Sequence, residues 1–207
     1  GTGLVGSEMC IRDRYILMRD ELWFPQVIWN STIDDLDNDN LKSYVYQKVE
    51  EEKINPPLGK PNQPWHSVDM IIEENNEVKK LIDRLNEKMY TICEDVGLHP
   101  VQLYDVWANV NPPGVANQLH AHIPSIFSGV YYLDAEKGQG DIVFERDDGG
   151  QTCLPVLVKE PSPFNQKSIT YKSETDLCYI FPGWFKHRVT ENTSKKDRIS
   201  ISFNYGA

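Results

Sequence analysis

From Pro100 onward the chain breaks into short runs rich in Val, Ile, Tyr, Phe and Thr, each closed off by Gly, Pro, Asn or Asp. The runs are Val101–Val110, Ile126–Leu133, Asp141–Glu145, Leu154–Leu157, Ser168–Tyr171, Asp176–Phe181, His187–Thr190 and Arg198–Asn204. β-Branched and aromatic residues suit a pleated, half-buried surface, and turn formers at this spacing leave no length for the crossover helices of a parallel sheet. The pattern predicts an α+β chain whose second half is a closed or double-sheet antiparallel structure, a jelly roll of about eight strands.

The first half reads differently. Leu22–Trp29 is a candidate strand, and Ser31 offers an N-cap hydroxyl to a polar stretch reaching about Glu52, in which Leu36, Leu41, Tyr44, Val45 and Val49 fall near helical spacing. Asn55–Pro64, with four prolines and a glycine, reads as an extended loop. A second helix is clearer. With Asn75 or Asn76 as N-cap, Val78, Leu81, Ile82, Leu85, Met89, Ile92 and Cys93 make one apolar stripe, and Gly97 supplies the stop. Residues 31–97 are therefore expected to be a helical support packed on one face of a β core spanning 100–205. Residues 15–207 form one domain on this reading, and Gly1–Arg14, which shows neither period, reads as a non-native or disordered leader.

Composition narrows the functional classes. Lys and Arg number 21 against 31 Asp and Glu, a formal charge of −10, which disfavours binding to nucleic acid or anionic lipid. Hydrophobic residues at 40% and charged residues at 25% are those of a folded globular chain, and no apolar run approaches the roughly 20 residues of a membrane helix. Cys10, Cys93, Cys153 and Cys178 lie far apart without a CxxC pair, so they read as idle thiols; with no secretory signal in Gly1–Arg14, a cytoplasmic location is expected.

Five histidines carry the chemical interest. His66 and His99 fall in expected loops, whereas His120, His122 and His187 lie where strands begin. In Gln118-Leu-His120-Ala-His122 an extended backbone sends both imidazoles to one face, as two ligands of one metal require. A third ligand from a distant strand, with His187 the candidate, would complete a facial set with open positions, the arrangement of non-haem iron oxygenases. Taken alone, an HxH pair is better explained as unrelated surface or hydrogen-bonding histidines. The C-terminal segment adds weight: His187 opens one strand, a polar hairpin follows, and Arg198-Ile-Ser200 places a guanidinium and a hydroxyl on one face of the returning strand. An inward Arg is costly unless an anion pairs with its fork.

His187, separated by ten residues from Arg198-Ile-Ser200, resembles the distal half of the iron(II)- and 2-oxoglutarate-dependent dioxygenase signature. Tyr131-Tyr132-Leu133 with Gly138-Gln-Gly140-Asp-Ile-Val-Phe144 is similar to a segment of its prolyl-hydroxylase-like branch. Trp107-Ala-Asn109-Val-Asn111-Pro-Pro-Gly114, His120-Ala-His122, Ser128–Tyr132, Phe181-Pro-Gly-Trp184, Arg198–Asn204 and the upstream Trp65-His66-Ser67 look like a group of 2-oxoglutarate/iron oxygenases seen often in marine bacteria and their phages. The resemblance spans roughly 22–205.

It implies a double-stranded β-helix, Fe(II), 2-oxoglutarate and O2 as cofactors, and a hydroxylated small-molecule or side-chain substrate. It also implies His120, His122 and His187 as metal ligands, Arg198 with Ser200 as the clamp on the distal carboxylate, Tyr132 as a phenol hydrogen bond to it, and Asn111 or Asn109 as further polar contacts. One departure matters: His122 stands where the superfamily has Asp or Glu. Either His122 is a working ligand, or Asp141 approaches the metal instead, or the site binds metal without hydroxylating. Gln118 is expected to brace the ligands rather than bind the metal, and Trp107, Trp184 and Phe127 are candidate pocket walls, although each taken singly reads better as core than as a contact. A cupin-like three-histidine small-molecule dioxygenase and a non-catalytic binding module are the competing functions. The identity of the substrate and the oligomeric state are not legible, although the loops Arg146–Gly150 and Pro161–Lys167 are expected to border the pocket mouth.

Overall fold

The computed structural model describes residues 24–54, 64–68, 70, 75–148 and 158–207. The expected strand at 154–157, the loop at 55–63, the leader, Cys10 and Cys153 lie outside the described residues. Two helices, α1 (Asn38–Ile54) and α2 (Asn76–Val96), accompany ten strands. These are β1 (Trp29–Thr32), β2 (Trp65–His66), β3 (Gln102–Asn111), β4 (Asn117–His120), β5 (Phe127–Asp134), β6 (Ile142–Glu145), β7 (Ser168–Tyr171), β8 (Leu177–Pro182), β9 (His187–Val189) and β10 (Arg198–Gly206). They form a six-stranded sheet in the order β1-β8-β5-β10-β3-β2 and a four-stranded sheet in the order β4-β9-β6-β7, with every pairing antiparallel.

Helix α2 follows its sequence pattern closely. The Asn75 side chain accepts from the Glu77 and Val78 amides at 2.8 and 3.2 Å, satisfying two amides that have no partner within the helix. Gly97, at φ 71° and ψ 33°, ends the helix in the left-handed region where only a residue without Cβ is unstrained. Helix α1 begins later than its sequence suggests. Ser31 is a strand residue of β1, paired with Cys178, and the cap is Asp37, whose carboxylate accepts from the Asn40 amide at 3.0 Å. Likewise pairing with β8 starts at Trp29, so residues 24–28 of the expected 22–29 strand lie outside β1, and residues 22 and 23 lie outside the described residues.

The period of two divides the large sheet into two faces. On one, Val106, Ala108, Val110, Tyr131, Leu133, Cys178, Ile180, Ile199, Ile201, Phe203 and Tyr205 pack with Leu41, Val45, Val78, Leu81, Leu85 and Met89 of the helices into the larger apolar core. On the other, Val130, Tyr132, Tyr179 and Phe181 join Ile142 and Phe144 of the small sheet in a second cluster. Phe127 belongs to the helix side, its ring edge-on to Trp29 at 5.7 Å, so it does not wall a pocket between the sheets. Among the described residues no helix is long and apolar enough to cross a membrane.

Candidate metal centre

Register places the histidines. Strands β4 and β9 pair so that His120 lies directly opposite His187, which puts both imidazoles on one face of the small sheet. Beyond the end of β4, the backbone of His122 is pinned by its amide donating to the Gly183 carbonyl at 2.7 Å. The rings of His120 and His187 are 4.4 Å apart, those of His120 and His122 5.0 Å, and those of His122 and His187 5.2 Å. One nitrogen of each lies within 4.8 Å of the others, close enough for one ion to bridge all three.

Protonation suits the same task. Nδ1 of His120 donates to the Gln118 carbonyl at 2.7 Å, and Nδ1 of His187 to the Phe185 carbonyl at 2.9 Å. A carbonyl can only accept, so in both rings Nδ1 carries the proton and Nε2 keeps its lone pair for a metal. Burial pushes His187 down to about 3 and His122 to about 4, with neighbouring imidazoles adding to the effect. Both rings are therefore neutral near pH 7, the form that ligates.

Asp141 is not part of this cluster. Its carboxylate pairs with Lys172 Nζ at 2.6 Å and accepts from the Ser173 amide, so among the described residues the cluster is three imidazoles without a carboxylate. Gln118 braces His120 through its backbone carbonyl, while its side-chain position is exposed.

The histidines line a cavity of about 80 Å3 that opens to solvent. Arg198, only 2% exposed, lines it. Its Nη1 donates to the Gln139 and Gly140 carbonyls at 3.1 and 3.4 Å, and Nη2 to Asn117 Oδ1 at 3.3 Å. Its Nε is buried without a partner, and no carboxylate of the described residues lies within 4.0 Å. Burial lowers its pKa from the ordinary guanidinium value, against the opposing fields of Tyr132 and Asp141. Gly140, at φ 95°, makes room for it: a Cβ there would sit 2.9 Å from Nη1 and 2.3 Å from the Thr190 carbonyl.

A polar row crosses four strands on the cavity face. His66 lies opposite Asn109, Asn109 opposite Ser200, and Ser200 opposite Tyr132. Tyr132 and Ser200 are buried and line the cavity, and burial pushes the Tyr132 phenol pKa up. Asn109 spends its amide within the protein, Oδ1 accepting from Trp107 Nε1 at 3.1 Å and Nδ2 donating to Ser202 Oγ at 2.9 Å. Asn111 Nδ2 donates to Asn117 Oδ1 at 2.7 Å, leaving Asn111 Oδ1 buried and unpartnered.

Of the expected walls, Trp107 lines the cavity, its ring 5.7 Å from His122, while Trp184 is 54% exposed and does not. Neither do the described residues of the loops at 146–150 and 161–167, which are tied to each other by the Arg146 amide donating to the Lys167 carbonyl. Sequence reasoning missed Asn117, Phe181 and His66, all of which line the cavity. His66 is in strand β2 rather than a loop, and its place in Trp65-His66-Ser67 was the available signal.

With two antiparallel sheets, a histidine cluster and a buried guanidinium, the chain has a fold similar to that of solved Fe(II)/2-oxoglutarate oxygenases. The family model described as "Putative 2OG-Fe(II) oxygenase" matches residues 105–204. Among solved structures the chain is similar to the non-haem α-ketoglutarate-dependent epimerase SnoN from nogalamycin biosynthesis, at 12% identity and TM-score 0.60, over 87% of this chain and 78% of that one. It is similar to a Pseudomonas putida prolyl-4-hydroxylase at 13% identity and TM-score 0.57, over 87% and 92% of the two chains. The viral collagen prolyl hydroxylase of Paramecium Bursaria Chlorella virus-1, solved as a 2OG complex, matches at 13% identity and TM-score 0.57, over 86% and 97%. No curated protein matches the sequence.

Proposed function

We propose that the chain is a three-histidine non-haem iron oxygenase acting on a small molecule. The observation that carries this reading is the convergence of His120, His122 and His187 within 4.8 Å, two of them with Nδ1 tied to backbone carbonyls. That donor set fits a divalent transition metal, since neutral imidazoles suit iron and their outer hydrogen bonds fix ring orientation in advance. Bound there, iron supplies the activation of dioxygen that ends in oxidation of a substrate C–H bond.

The chain's own residues hold and orient. Three neutral ligands leave the full charge of a ferrous ion uncompensated, which strengthens the hold of the site on any anion that enters. This feature favours a dioxygenase of the cupin type, in which the small molecule itself docks at the metal. A second observation favours 2-oxoglutarate as co-substrate: Arg198 is buried without an anion, and a guanidinium so placed is stabilised by a carboxylate entering the cavity. In that form Arg198 clamps the distal carboxylate, Ser200 and Tyr132 add hydroxyl donors, and the two sheets act as halves of a double-stranded β-helix around the keto acid. Asn111 positions Arg198 through Asn117, because its amide nitrogen is already committed. Asn109 props Ser200 in the same indirect way.

Anaerobic titration with Fe(II) and then 2-oxoglutarate tests both forms. A weak visible charge-transfer band on adding the keto acid is the expected result for the 2-oxoglutarate form. Iron binding with no response to 2-oxoglutarate leaves the direct three-histidine dioxygenase. No iron binding overturns both.

A further inference from the structure

His66 stands at the mouth of the cavity, exposed along one edge, and it faces the same space as His120 and His187 without joining their cluster. Its Nδ1 is 2.5 Å from Asn109 Oδ1. The chemistry of that contact is settled one residue further on. The indole Nε1 of Trp107 can only donate, so the Asn109 atom it meets at 3.1 Å is the carbonyl oxygen. The other end of the same amide agrees, for Nδ2 reaches the Ser200 carbonyl, which can only accept, at 3.5 Å. Asn109 Oδ1 therefore accepts from both neighbours, His66 must carry its proton on Nδ1, and Nε2 of a neutral ring is left as a lone pair with no partner among the described residues.

Desolvation in the cavity, with a smaller push from His120, lowers the His66 pKa from 6.5 against the opposing hydrogen bond to Asn109, and so keeps the ring neutral. A fixed acceptor at the mouth, beside the half-buried Trp107 ring, asks for a ligand with a donor at one edge and an apolar face at another. Apart from the histidine cluster, nothing lining the cavity would pair with an organic cation: no carboxylate is among the lining residues, and Arg198 is. The buried guanidinium of Arg198 is the place for an anion. The mouth is built for something uncharged.

We propose that His66 is a binding and specificity-determining residue for the primary substrate: held as its Nδ1–H tautomer by the Trp107–Asn109 relay, it offers Nε2 to a hydroxyl of an uncharged, hydroxylated small molecule lying against Trp107. This rests on the oxygenase reading and adds to it the class of molecule oxidised.

The test separates the two. Wild type, His66→Ala and His66→Gln are first titrated with Zn(II), a redox-inert substitute for iron, and then with 2-oxoglutarate. His66 belongs to neither site, so all three proteins should bind both alike; failure of the wild type to bind zinc overturns the metal reading and this proposal with it. Long-range 1H–15N spectra of ring-labelled protein should show Nδ1 protonated and Nε2 unprotonated at His66 in the metal-free and zinc-loaded forms. Ligand-observed NMR on the zinc complex against a panel of hexoses, pentitols and nucleosides, with amines and carboxylates of similar size as counterparts, then reads the substrate class. We expect binders among the uncharged members, weakened about tenfold or more by His66→Ala and restored in large part by His66→Gln, whose carbonyl can stand where Nε2 was. An Nε2–H tautomer, binding that ignores His66→Ala, or a panel in which only charged members or none bind while zinc binds normally would each overturn the assignment.

Discussion

His120 and His187 face each other directly across the β4–β9 pair, their rings 4.4 Å apart, with each Nδ1 donating to the carbonyl two residues before it. The repeated local bond means that each strand end presents a ready-oriented ligand, and only strand pairing is needed to bring the two together.

Removing either ring should therefore cost metal affinity far more than fold. We expect His187→Ala and His120→Ala to weaken Fe(II) or Co(II) binding by about a hundredfold or more, since loss of outer hydrogen bonds alone costs about 10–100-fold. Calorimetric titration checks this, with circular dichroism confirming that the sheets persist.

The depressed histidines make the metal-free protein sensitive to acid. His187 titrates at about 3 and His122 at about 4 in the folded state against 6.5 when free. Between those values the unfolded chain binds protons that the folded chain refuses, so stability is complete above about pH 6.5 and declines as pH falls toward 3–4. Thermal melts of metal-free protein should show a lower Tm at about pH 5 than at about pH 7.5, and His187→Gln should flatten that slope.

Among the described residues Arg198 has no carboxylate partner, which makes it a sensitive reporter of an incoming one. Arg198→Lys keeps the charge and loses the fork, and is expected to raise the Kd for 2-oxoglutarate by about 10–100-fold, as the loss of one or two charge-assisted hydrogen bonds predicts. Fe(II) affinity should be unchanged, and the two titrations together check it.

Gly140→Ala tests the seat beneath that guanidinium. The new methyl would meet the Thr190 carbonyl and Arg198 Nη1 at a backbone φ of 95°, so we expect a loss of about 1–3 kcal/mol in chemical denaturation. Weaker 2-oxoglutarate binding should accompany it if Arg198 is displaced.

Helix α2 and most of the C-terminal strands were legible because their signals are local: an asparagine cap, an apolar stripe, a left-handed glycine, alternation between turns. The start of α1 was not, because Ser31 is as good a cap as Asp37 until pairing with β8 claims it for a strand. Clustering of the three histidines could be anticipated from spacing and resemblance, but the company of Arg198 could not. Asn117, Gln139 and Gly140 reach it from elements whose proximity only the sheet order decides. Phe127 was legible as core: Ser128, Val130 and Tyr132 share one face of β5, so an odd-numbered neighbour belongs on the other. His66 was hidden by its place in a two-residue strand, too short to announce itself by any period.

Strand β10 lies at the heart of the large sheet, flanked by β3 and β5, with Ile199, Ile201, Phe203 and Tyr205 toward the helices and Arg198 and Ser200 toward the cavity. Assembly and reactivity are thus written on alternate letters of one short word. Descendants of this gene can trial new chemistry on the inward letters while the outward ones go on guaranteeing that the chain folds, and a lesion in the outward set is felt as lost protein rather than altered selectivity.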